Sequence, residues 1–213
     1  MEETEHVHAF GEWQILSAAT VFKAEVQERI CAACGEKETK ENGSKLKATI
    51  TVTANQVQLK VGQKTDKFKV TNLANGDSVK SYVSSNKKIF TVNKNTGVIK
   101  AKKKGTAKLI ITLASGKVKR ITVKVQTQAV KTKKIEGLDK QLVLRVGGKF
   151  RLEPVVKPFT SLQKVTYTSS NKKIATVSSK GLVKAKKTGT AKITVKSGSA
   201  KFVVTVKVKK AAK

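Results

Sequence analysis

The sequence is poor in the residues that build disulfide frameworks and membrane spans. Its only two cysteines are Cys31 and Cys34, so disulfides cannot cross-link the domains of this chain of 213 residues. No run of about 18 apolar residues occurs, which predicts no transmembrane helix and no membrane insertion. The acidic start (residues 1–5) lacks the apolar stretch of a signal peptide. Either the protein is cytoplasmic, or the chain is a fragment of an exported protein whose signal peptide and anchor are not in it.

Residues that carry out catalysis are also scarce. The only histidines are His6 and His8, and residues 46–213 contain neither histidine nor cysteine. The acidic side chains of that range are few and scattered: Asp66, Asp77, Glu136, Asp139 and Glu153. Hydrolase triads need a histidine, glycoside hydrolysis needs paired carboxylates, and calcium sites need several converging oxygen ligands. The composition therefore predicts a protein that is not an enzyme.

What the sequence has in excess is lysine. The formal net charge is +31, and it is unevenly distributed. Residues 1–45 hold nine acidic and five basic residues, whereas residues 46–213 hold five acidic and 40 basic residues. Such a positive field attracts polyanions and is screened by salt. The candidate polyanions are nucleic acid, anionic cell-wall polymers and charged glycans.

The lysine-rich part of the chain consists of two similar halves. Residues 84–92 (SSNKKIFTV) recur as residues 169–177 (SSNKKIATV), and residues 97–108 recur as residues 181–192. The repeat is longer than the roughly 20–50 residues of solenoid units and is about as long as a small domain. The sequence therefore predicts a first domain over residues 46–127 and a second over residues 128–213, preceded by a different segment over residues 1–45.

Both halves have the alternating pattern of β-strands. In the first half, apolar residues recur at every second position through residues 107–113 and again through residues 121–125, and Ser115-Gly116-Lys117 forms a turn between them. Short strands with glycine-containing turns and almost no helical periodicity predict an all-β fold with one β-sandwich per repeat. The short connection at residues 126–129 predicts two sandwiches placed end to end in a monomer.

The repeated motif identifies a family resemblance. It comprises an aromatic residue, Ser-Ser-Asn, an Ile-Ala-x-Val strand, Gly-x-Val-x-Ala and Gly-Thr-Ala-x-Ile. In the second half these residues are Tyr167, Ser169, Ser170, Asn171, Ile174, Ala175, Val177, Gly181, Val183, Ala185, Gly189, Thr190, Ala191 and Ile193. The motif resembles the bacterial Ig-like group 2 family; the first half departs from it with Phe90 in place of the alanine. The resemblance implies two tandem Ig-like β-sandwiches in a secreted or cell-surface bacterial protein, either an adhesin or a spacer beside other modules.

The N-terminal segment has motifs of its own. Residues 8–13 (HAFGEW) and 31–35 (CAACG) resemble a short repeat in surface proteins of Gram-positive anaerobes, some of which carry a further cysteine where Val21 stands here. The apolar pattern predicts a small β-hairpin module with a Cys-x-x-Cys turn, followed by a polar linker over residues 37–47.

The histidines and cysteines of this segment could together hold a zinc ion. A Cys-x-x-Cys turn presents two thiolates, and His6 and His8, two residues apart on a strand, would lie on one face. The candidate zinc ligands are therefore His6, His8, Cys31 and Cys34. The alternative is that Cys31 and Cys34 form a disulfide or a pair of thiols without a metal. A redox enzyme is not expected, because no thioredoxin-like βαβ pattern surrounds the motif.

Lysines are concentrated at matching places in the two halves. The candidate polyanion contacts are Lys102, Lys103, Lys104, Lys186 and Lys187. The alternative is a solvated surface, since lysines on outward-facing strand positions also keep a sheet edge from pairing with other chains. Specific nucleic-acid binding is not expected, because arginine and interleaved aromatic residues are scarce.

Two hypotheses about function follow from these observations. The first is a non-enzymatic cell-surface fragment that binds a host surface protein or glycan through its Ig-like domains. The second is a basic structural stalk or spacer that associates with anionic cell-wall polymers and is accessory to a larger surface protein or enzyme. Capture of one protein at high salt would favour the first hypothesis, and binding that collapses as salt rises would favour the second.

Overall fold

The computed structural model describes residues 7–210. Its regular elements are β-strands, arranged as a small sheet followed by two similar groups of sheets. Among the described residues, no helix has the length and apolar character needed to span a membrane. The all-β architecture with Ig-like sandwiches is confirmed.

The N-terminal module is a three-stranded antiparallel sheet. Its strands are β1 (Gln14–Ser17), β2 (Glu25–Ile30) and β3 (Lys37–Asn42), in the order β1-β2-β3. The Cys-x-x-Cys turn joins β2 to β3, as predicted. The linker prediction is wrong for residues 37–42, because they form β3 and pair with β2 along its whole length. The sequence of β3, KETKEN, has no apolar alternation, and cross-strand ion pairs such as Arg29–Glu38 (2.6 Å) hold it to β2.

The first repeat forms a main sheet of four strands with smaller sheets beside it. Its strands are β4 (Thr51–Val52), β5 (Gln56–Lys60), β6 (Lys64–Thr65), β7 (Val70–Thr71), β8 (Val79–Ser84), β9 (Phe90–Val92), β10 (Ile99–Ala101), β11 (Gly105–Leu113) and β12 (Val118–Gln126). The sheet orders are β5-β12-β11-β8, β6-β10-β9 and β4-β7. The predicted turn after residue 113 joins β11 to β12, and β5 runs parallel to β12.

The second repeat has the same arrangement of strands. They are β13 (Lys134–Glu136), β14 (Gln141–Arg145), β15 (Lys149–Arg151), β16 (Val155–Lys157), β17 (Val165–Ser169), β18 (Ala175–Val177), β19 (Leu182–Ala185), β20 (Gly189–Ser197) and β21 (Ala200–Lys209). The sheet orders are β14-β21-β20-β17, β15-β19-β18 and β13-β16. The sequence repeat is therefore a structural repeat, and β14 is the counterpart of β5.

Each sandwich closes over an aliphatic core. In β11, Leu109, Ile111 and Leu113 are fully buried and alternate with more exposed residues, as a strand with one inward face requires. Phe90 fills the first core, and its counterpart in the second core is the buried Ala175. The same sequence position is thus packed differently in the two repeats.

The Ser-Ser-Asn motif caps one end of each sandwich. In the second repeat, Ser169 Oγ accepts a hydrogen bond from the backbone N–H of Asn171, and Asn171 Oδ1 accepts one from Lys173. Ser170 Oγ accepts the N–H of Lys192 on β20 (2.8 Å). The first repeat makes the same contacts with Ser84, Ser85, Asn86, Lys88 and Lys108. The motif therefore holds a tight lysine-bearing turn against the neighbouring strand.

The aromatic residue and the glycine of the motif act together. Gly97 has φ +70° and Gly181 has φ +79°, a left-handed conformation that favours glycine. A Cβ atom on Gly97 would lie 2.9 Å from the Tyr82 ring, and one on Gly181 would lie 3.0 Å from the Tyr167 ring. Both the backbone conformation and the close approach of the tyrosine require glycine at these positions.

One loop of each repeat contacts the module that precedes it. We call residues 72–78 of the first repeat and 158–164 of the second the docking loops. The first connects β7 to β8, and the second connects β16 to β17. In the first, Asn75 Nδ2 donates to the carbonyl oxygen of Ala19 (3.0 Å), and the Asn75 carbonyl accepts the N–H of Val21 (3.1 Å).

The second docking loop packs on the first repeat. Phe159 is only 8% exposed and belongs to the core cluster of the first repeat. Gln63 Nε2 donates to the carbonyl oxygen of Thr160 across the junction (2.7 Å). The two sandwiches therefore share apolar packing as well as a hydrogen bond.

Hydroxyl groups hold the second docking loop to its own sandwich. Thr132 Oγ1 lies 2.8 Å from Ser161 Oγ and 2.9 Å from Ser197 Oγ, and all three side chains are buried. Gln163 Oε1 accepts the backbone N–H of Thr132 (2.6 Å). This network therefore fixes the loop that carries Phe159 to the second sandwich.

Candidate functional site

Three of the four candidate zinc ligands lie together. The ligand atoms of His8, Cys31 and Cys34 are all within 4.8 Å of one another, and His8 Nδ1 is 3.2 Å from Cys34 Sγ. Cys31 is buried and Cys34 is exposed, and both are thiols rather than halves of a disulfide. The fourth candidate, His6, lies outside the described residues.

The backbone around the Cys-x-x-Cys turn explains why these side chains meet. Phe10 forms an antiparallel bridge with Cys31, and the N–H of Ala32 donates to the carbonyl of Ala9 (3.2 Å). This brings the segment containing His8 alongside the turn. The N–H of Gly35 donates to the Cys31 carbonyl (2.9 Å), which closes the turn and directs both thiols to one side.

The carboxylate of Glu36 orients the His8 ring. Its Oε2 lies 2.9 Å from His8 Nε2, on the far side of the ring from the thiols. The pKa of His8 is raised, and the largest cause is its hydrogen bond to Cys31. Loss of solvation opposes this shift, and attraction to the Glu36 carboxylate adds to it. Carboxylates commonly hold the second ring nitrogen of a metal-binding histidine in this way. Glu36 was not among the residues predicted from the sequence.

Aromatic and cationic side chains cover the same region. The His8 ring stacks on Phe10 with centroids 5.4 Å apart. The guanidinium of Arg29 lies over both Phe10 (4.6 Å) and Trp13 (4.7 Å). These contacts restrict the orientation of His8 and add to the small amount of buried surface in the module.

The donor set of this cluster suits zinc. One imidazole nitrogen and two thiolates are the ligand types of structural zinc sites, which bind four ligands in all. A hard cation such as calcium prefers several oxygen ligands, and the cluster offers sulfur and nitrogen instead. The three residues therefore fit a zinc ion with a fourth ligand from outside the cluster.

The candidate polyanion contacts lie on matching loops of the two sandwiches. Lys102, Lys103 and Lys104 follow β10, and Lys186 and Lys187 follow β19. All five are exposed, and none has an ion-pair partner within residues 7–210. The charges are therefore available to a ligand in solvent.

Two further pairs of lysines lie next to these loops. The N–H groups of Lys102 and Lys103 donate to the carbonyl of Ile89, directly after Lys87 and Lys88. In the second repeat, Lys186 and Lys187 donate in the same way to Ile174, which follows Lys172 and Lys173. Sequence analysis missed the two pairs, although they belong to the repeated Ser-Ser-Asn-Lys-Lys motif. We call residues 87–88 and 102–104 the lysine loops of the first sandwich, and residues 172–173 and 186–187 the lysine loops of the second.

Comparison with known proteins supports the family resemblance for one repeat. Residues 129–208 match the family model described as bacterial Ig-like domain (group 2). The assignment of residues 46–127 to that family, the resemblance of the N-terminal segment and the domain boundaries at residues 46 and 128 stay predictions.

A stretch of the chain also resembles part of a curated enzyme. It is 54% identical over 55 residues to the kappa-carrageenase of Pseudoalteromonas carrageenovora, which is 25% of this chain and 14% of that protein. The match thus spans a small part of the enzyme's length.

Solved structures with a similar arrangement include domains 4 and 5 of the S-layer protein SbsC. The identity is 23%, the match covers 60% of this chain and 74% of that one, and the TM-score is 0.37. Domains EC1-2 of human protocadherin-24 are 15% identical, with coverage of 76% and 98% and a TM-score of 0.32. At these TM-scores the likenesses say nothing about function.

Proposed function

We propose that this chain is a non-enzymatic part of a bacterial surface protein, in which the two Ig-like sandwiches serve as a basic stalk. The observation that carries the proposal is the junction between the repeats, where Phe159 is buried in the core cluster of the first sandwich. A flexible tether between independent binding domains would not need such a contact. The Gln63–Thr160 hydrogen bond and the buried hydroxyl network around Thr132 also favour a stiff connection.

Replacing Phe159 by alanine is expected to uncouple the two sandwiches without unfolding them. Removal of a buried phenylalanine costs about 3–5 kcal/mol where the site cannot collapse, and here most of that loss falls on the junction. NMR relaxation should then give shorter rotational correlation times for both repeats. Leu162→Ala, in the same loop but 77% exposed, is the matched control and should change nothing. Unchanged correlation times for Phe159→Ala would contradict the stalk.

The lysine loops are the proposed contact between the stalk and anionic cell-wall polymers. Each sandwich presents one such set of lysine loops, and the lysines in both sets are exposed. Exposed charges contribute about 0.2–1 kcal/mol each to an ionic contact, and salt screens them. Several lysines along one polymer would give useful but salt-sensitive binding, which suits a spacer that is held close to a wall.

Neutralising the five candidate lysines is expected to weaken binding to a phosphate-rich polymer by at least about tenfold. The probe is purified teichoic acid, and the variant carries Gln at 102, 103, 104, 186 and 187. The control removes the same charge from the strands, through Gln at Lys108, Lys124, Lys192, Lys196 and Lys207, all exposed. Equal losses in the two variants would exclude the loops as a site. Capture of a single host protein at high salt would instead favour adhesion.

For the N-terminal module, the proposal is that His8, Cys31 and Cys34 bind one structural zinc ion. Support comes from the cluster of three ligand atoms within 4.8 Å and from Glu36 on the far nitrogen of His8. A three-stranded sheet with few buried side chains gains much of its stability from such a cross-link. His6 is the proposed fourth ligand. A disulfide between the two cysteines is the competing possibility.

A further inference from the structure

Each sandwich has a cleft between its two edge strands. The main sheet of the first repeat ends at β8 and its small sheet ends at β9, and the sheets of the second repeat end in the same way at β17 and β18. Between these edges lies a cavity of about 200 Å³ in the first repeat and about 480 Å³ in the second. We call the two cavities the edge clefts. Their shared lining residues are Tyr82, Lys87, Thr91 and Val92 in the first and Tyr167, Lys172, Thr176 and Val177 in the second.

The two edge clefts are the same feature of the repeat. Each of the four residues that line the second cleft follows its counterpart in the first by 85 positions. The strand register agrees with this alignment, since Tyr82 lies opposite Ile111 on β11 and Tyr167 lies opposite Val195, the corresponding residue of β20. The chain therefore builds one kind of cleft twice, from the same side chains on the same strands.

The polar side chains of the edge clefts are available to a ligand. Within residues 7–210, the ammonium groups of Lys87 and Lys172 are exposed and make no hydrogen bond or ion pair. The hydroxyls of Thr91 and Thr176, on half-buried residues, make no hydrogen bond in that range either. No carboxylate of the described part of the chain lines either cleft. An acidic ligand would therefore meet a cation and a hydroxyl with no internal competitor.

Apolar surface lies beside these polar groups. The tyrosine and the valine of each cleft are half-buried, so part of each side chain faces the cavity. Ligand pockets in proteins typically measure about 300–1,000 Å³, and the first cleft is smaller than that range. It suits one ring with its substituents. A sugar ring carries C–H groups that pack on apolar side chains and hydroxyls that form hydrogen bonds, and both features match this lining.

An added peptide strand suits the first cleft less well. Such a strand would pair with the free edge of β8, but the N–H of Tyr82 on that edge already donates to the carbonyl oxygen of Lys94 (3.0 Å). Lys94 also lines the first cleft and brings a second ammonium group to it. Among the described residues that line the second cleft, Lys172 is the only charged one. The first cleft is thus narrower and more strongly cationic.

We propose that each edge cleft binds one acidic sugar unit of a glycan, whose carboxylate or sulfate group contacts Lys87 in the first repeat and Lys172 in the second. The threonine hydroxyl binds a polar substituent of the ring, and the tyrosine and valine pack against its C–H groups. The first cleft binds more tightly, because Lys94 adds a second cation. The inference rests on the proposed contact between the stalk and anionic polymers, and it names the chemical unit that is recognised.

The test is an NMR titration of the full chain with a hexasaccharide of alternating glucuronate and N-acetylglucosamine, and with its sulfated form, at about 0.15 M salt. Binding should shift the amide signals of Thr91 and Thr176 in a saturable way, at lower concentration for Thr91. Either acidic form supports the proposal, and the stronger one identifies the acidic group. Polyphosphate and a glutamate peptide of equal charge are the comparison ligands.

Neighbouring lysines supply the matched control. Lys87→Gln should weaken binding at the first cleft by about three- to tenfold, whereas Lys88→Gln, which removes an exposed charge one residue away and outside the cleft, should change it by less than about twofold. Thr91→Val keeps the charge and the shape and should weaken binding about as much as Lys87→Gln. Both variants should leave the shifts at Thr176 unchanged.

The outcomes separate the edge clefts from the general attraction of polyanions. Equal effects of Lys87→Gln and Lys88→Gln, or the same shifts with polyphosphate, would overturn the clefts and leave the lysine loops as a diffuse polymer contact. Shifts at the clefts with the glutamate peptide alone would assign them to a peptide and also overturn the proposal. A chain that binds neither these ligands nor teichoic acid would overturn both the clefts and the polymer contact.

Discussion

The purified chain is expected to contain one zinc ion per molecule, and Cys31→Ser is expected to remove it. Structural zinc in small domains binds with an apparent free energy of about 10–16 kcal/mol, which is also folding free energy. Loss of Cys31, the buried ligand, should therefore unfold β1–β3 while both sandwiches stay folded. Elemental analysis gives the stoichiometry. Trp13, the only tryptophan of the chain, reports the unfolding of this module during chelation.

Glu36 separates a true metal centre from a chance cluster. If the Glu36 carboxylate orients His8, Glu36→Gln should lower the zinc affinity by about 10–100-fold and keep the fold. Glu41→Gln, on β3 and away from the cluster, is the matched control and should not change the affinity. Cobalt substitution should give the thiolate-to-metal absorption bands of the site. A protein isolated under reducing conditions without zinc, or with a Cys31–Cys34 disulfide seen by mass spectrometry, would contradict the metal proposal.

Phe90→Ala is expected to lower the free energy of unfolding of the first repeat by about 3–5 kcal/mol. The Phe90 ring is completely buried at the centre of the first core, and its removal leaves a cavity that paired strands cannot close. Urea denaturation followed by NMR resolves the two repeats, and only the first should shift markedly. The result would show that the first core depends on this departure from the family motif.

The second repeat supplies the controls for this prediction. Ala175 occupies the equivalent position and is also completely buried, so Ala175→Phe should overpack the second core and destabilise it by about 1–3 kcal/mol. Phe150→Ala removes a ring that is 44% exposed and should cost less than Phe90→Ala. A loss below about 1 kcal/mol for Phe90→Ala would mean that the first core relaxes around the gap.

Local patterns in the sequence account for most of the correct predictions. The period-two alternation at residues 107–113, the turn at Ser115-Gly116-Lys117 and the repeated motif each specify a strand, a turn or a cap from neighbouring residues alone. The Cys-x-x-Cys turn was also placed correctly between two strands. The approach of His8 to this turn was anticipated from ligand chemistry, and the Phe10–Cys31 bridge is the contact that brings it there.

Contacts between distant residues account for what the sequence left open. Lys37–Asn42 has the composition of a linker, and only pairing with β2 makes it a strand. Nothing near Glu36 in the chain indicates that it would hold the ring of His8, since that contact depends on how the turn folds back.

The sequence by itself determined the all-β class, the structural repeat and the residues that cap and fill each sandwich, because strand periodicity and turn chemistry act over a few neighbouring residues. Only the tertiary structure decided that Phe159 joins the repeats, that Lys87 and Lys88 lie beside Lys102, and that Glu36 holds the His8 ring. The physical reason is that burial and proximity depend on which distant surfaces meet. Neither the loop that begins at Pro158 nor a run of lysines carries a local signal of its partner.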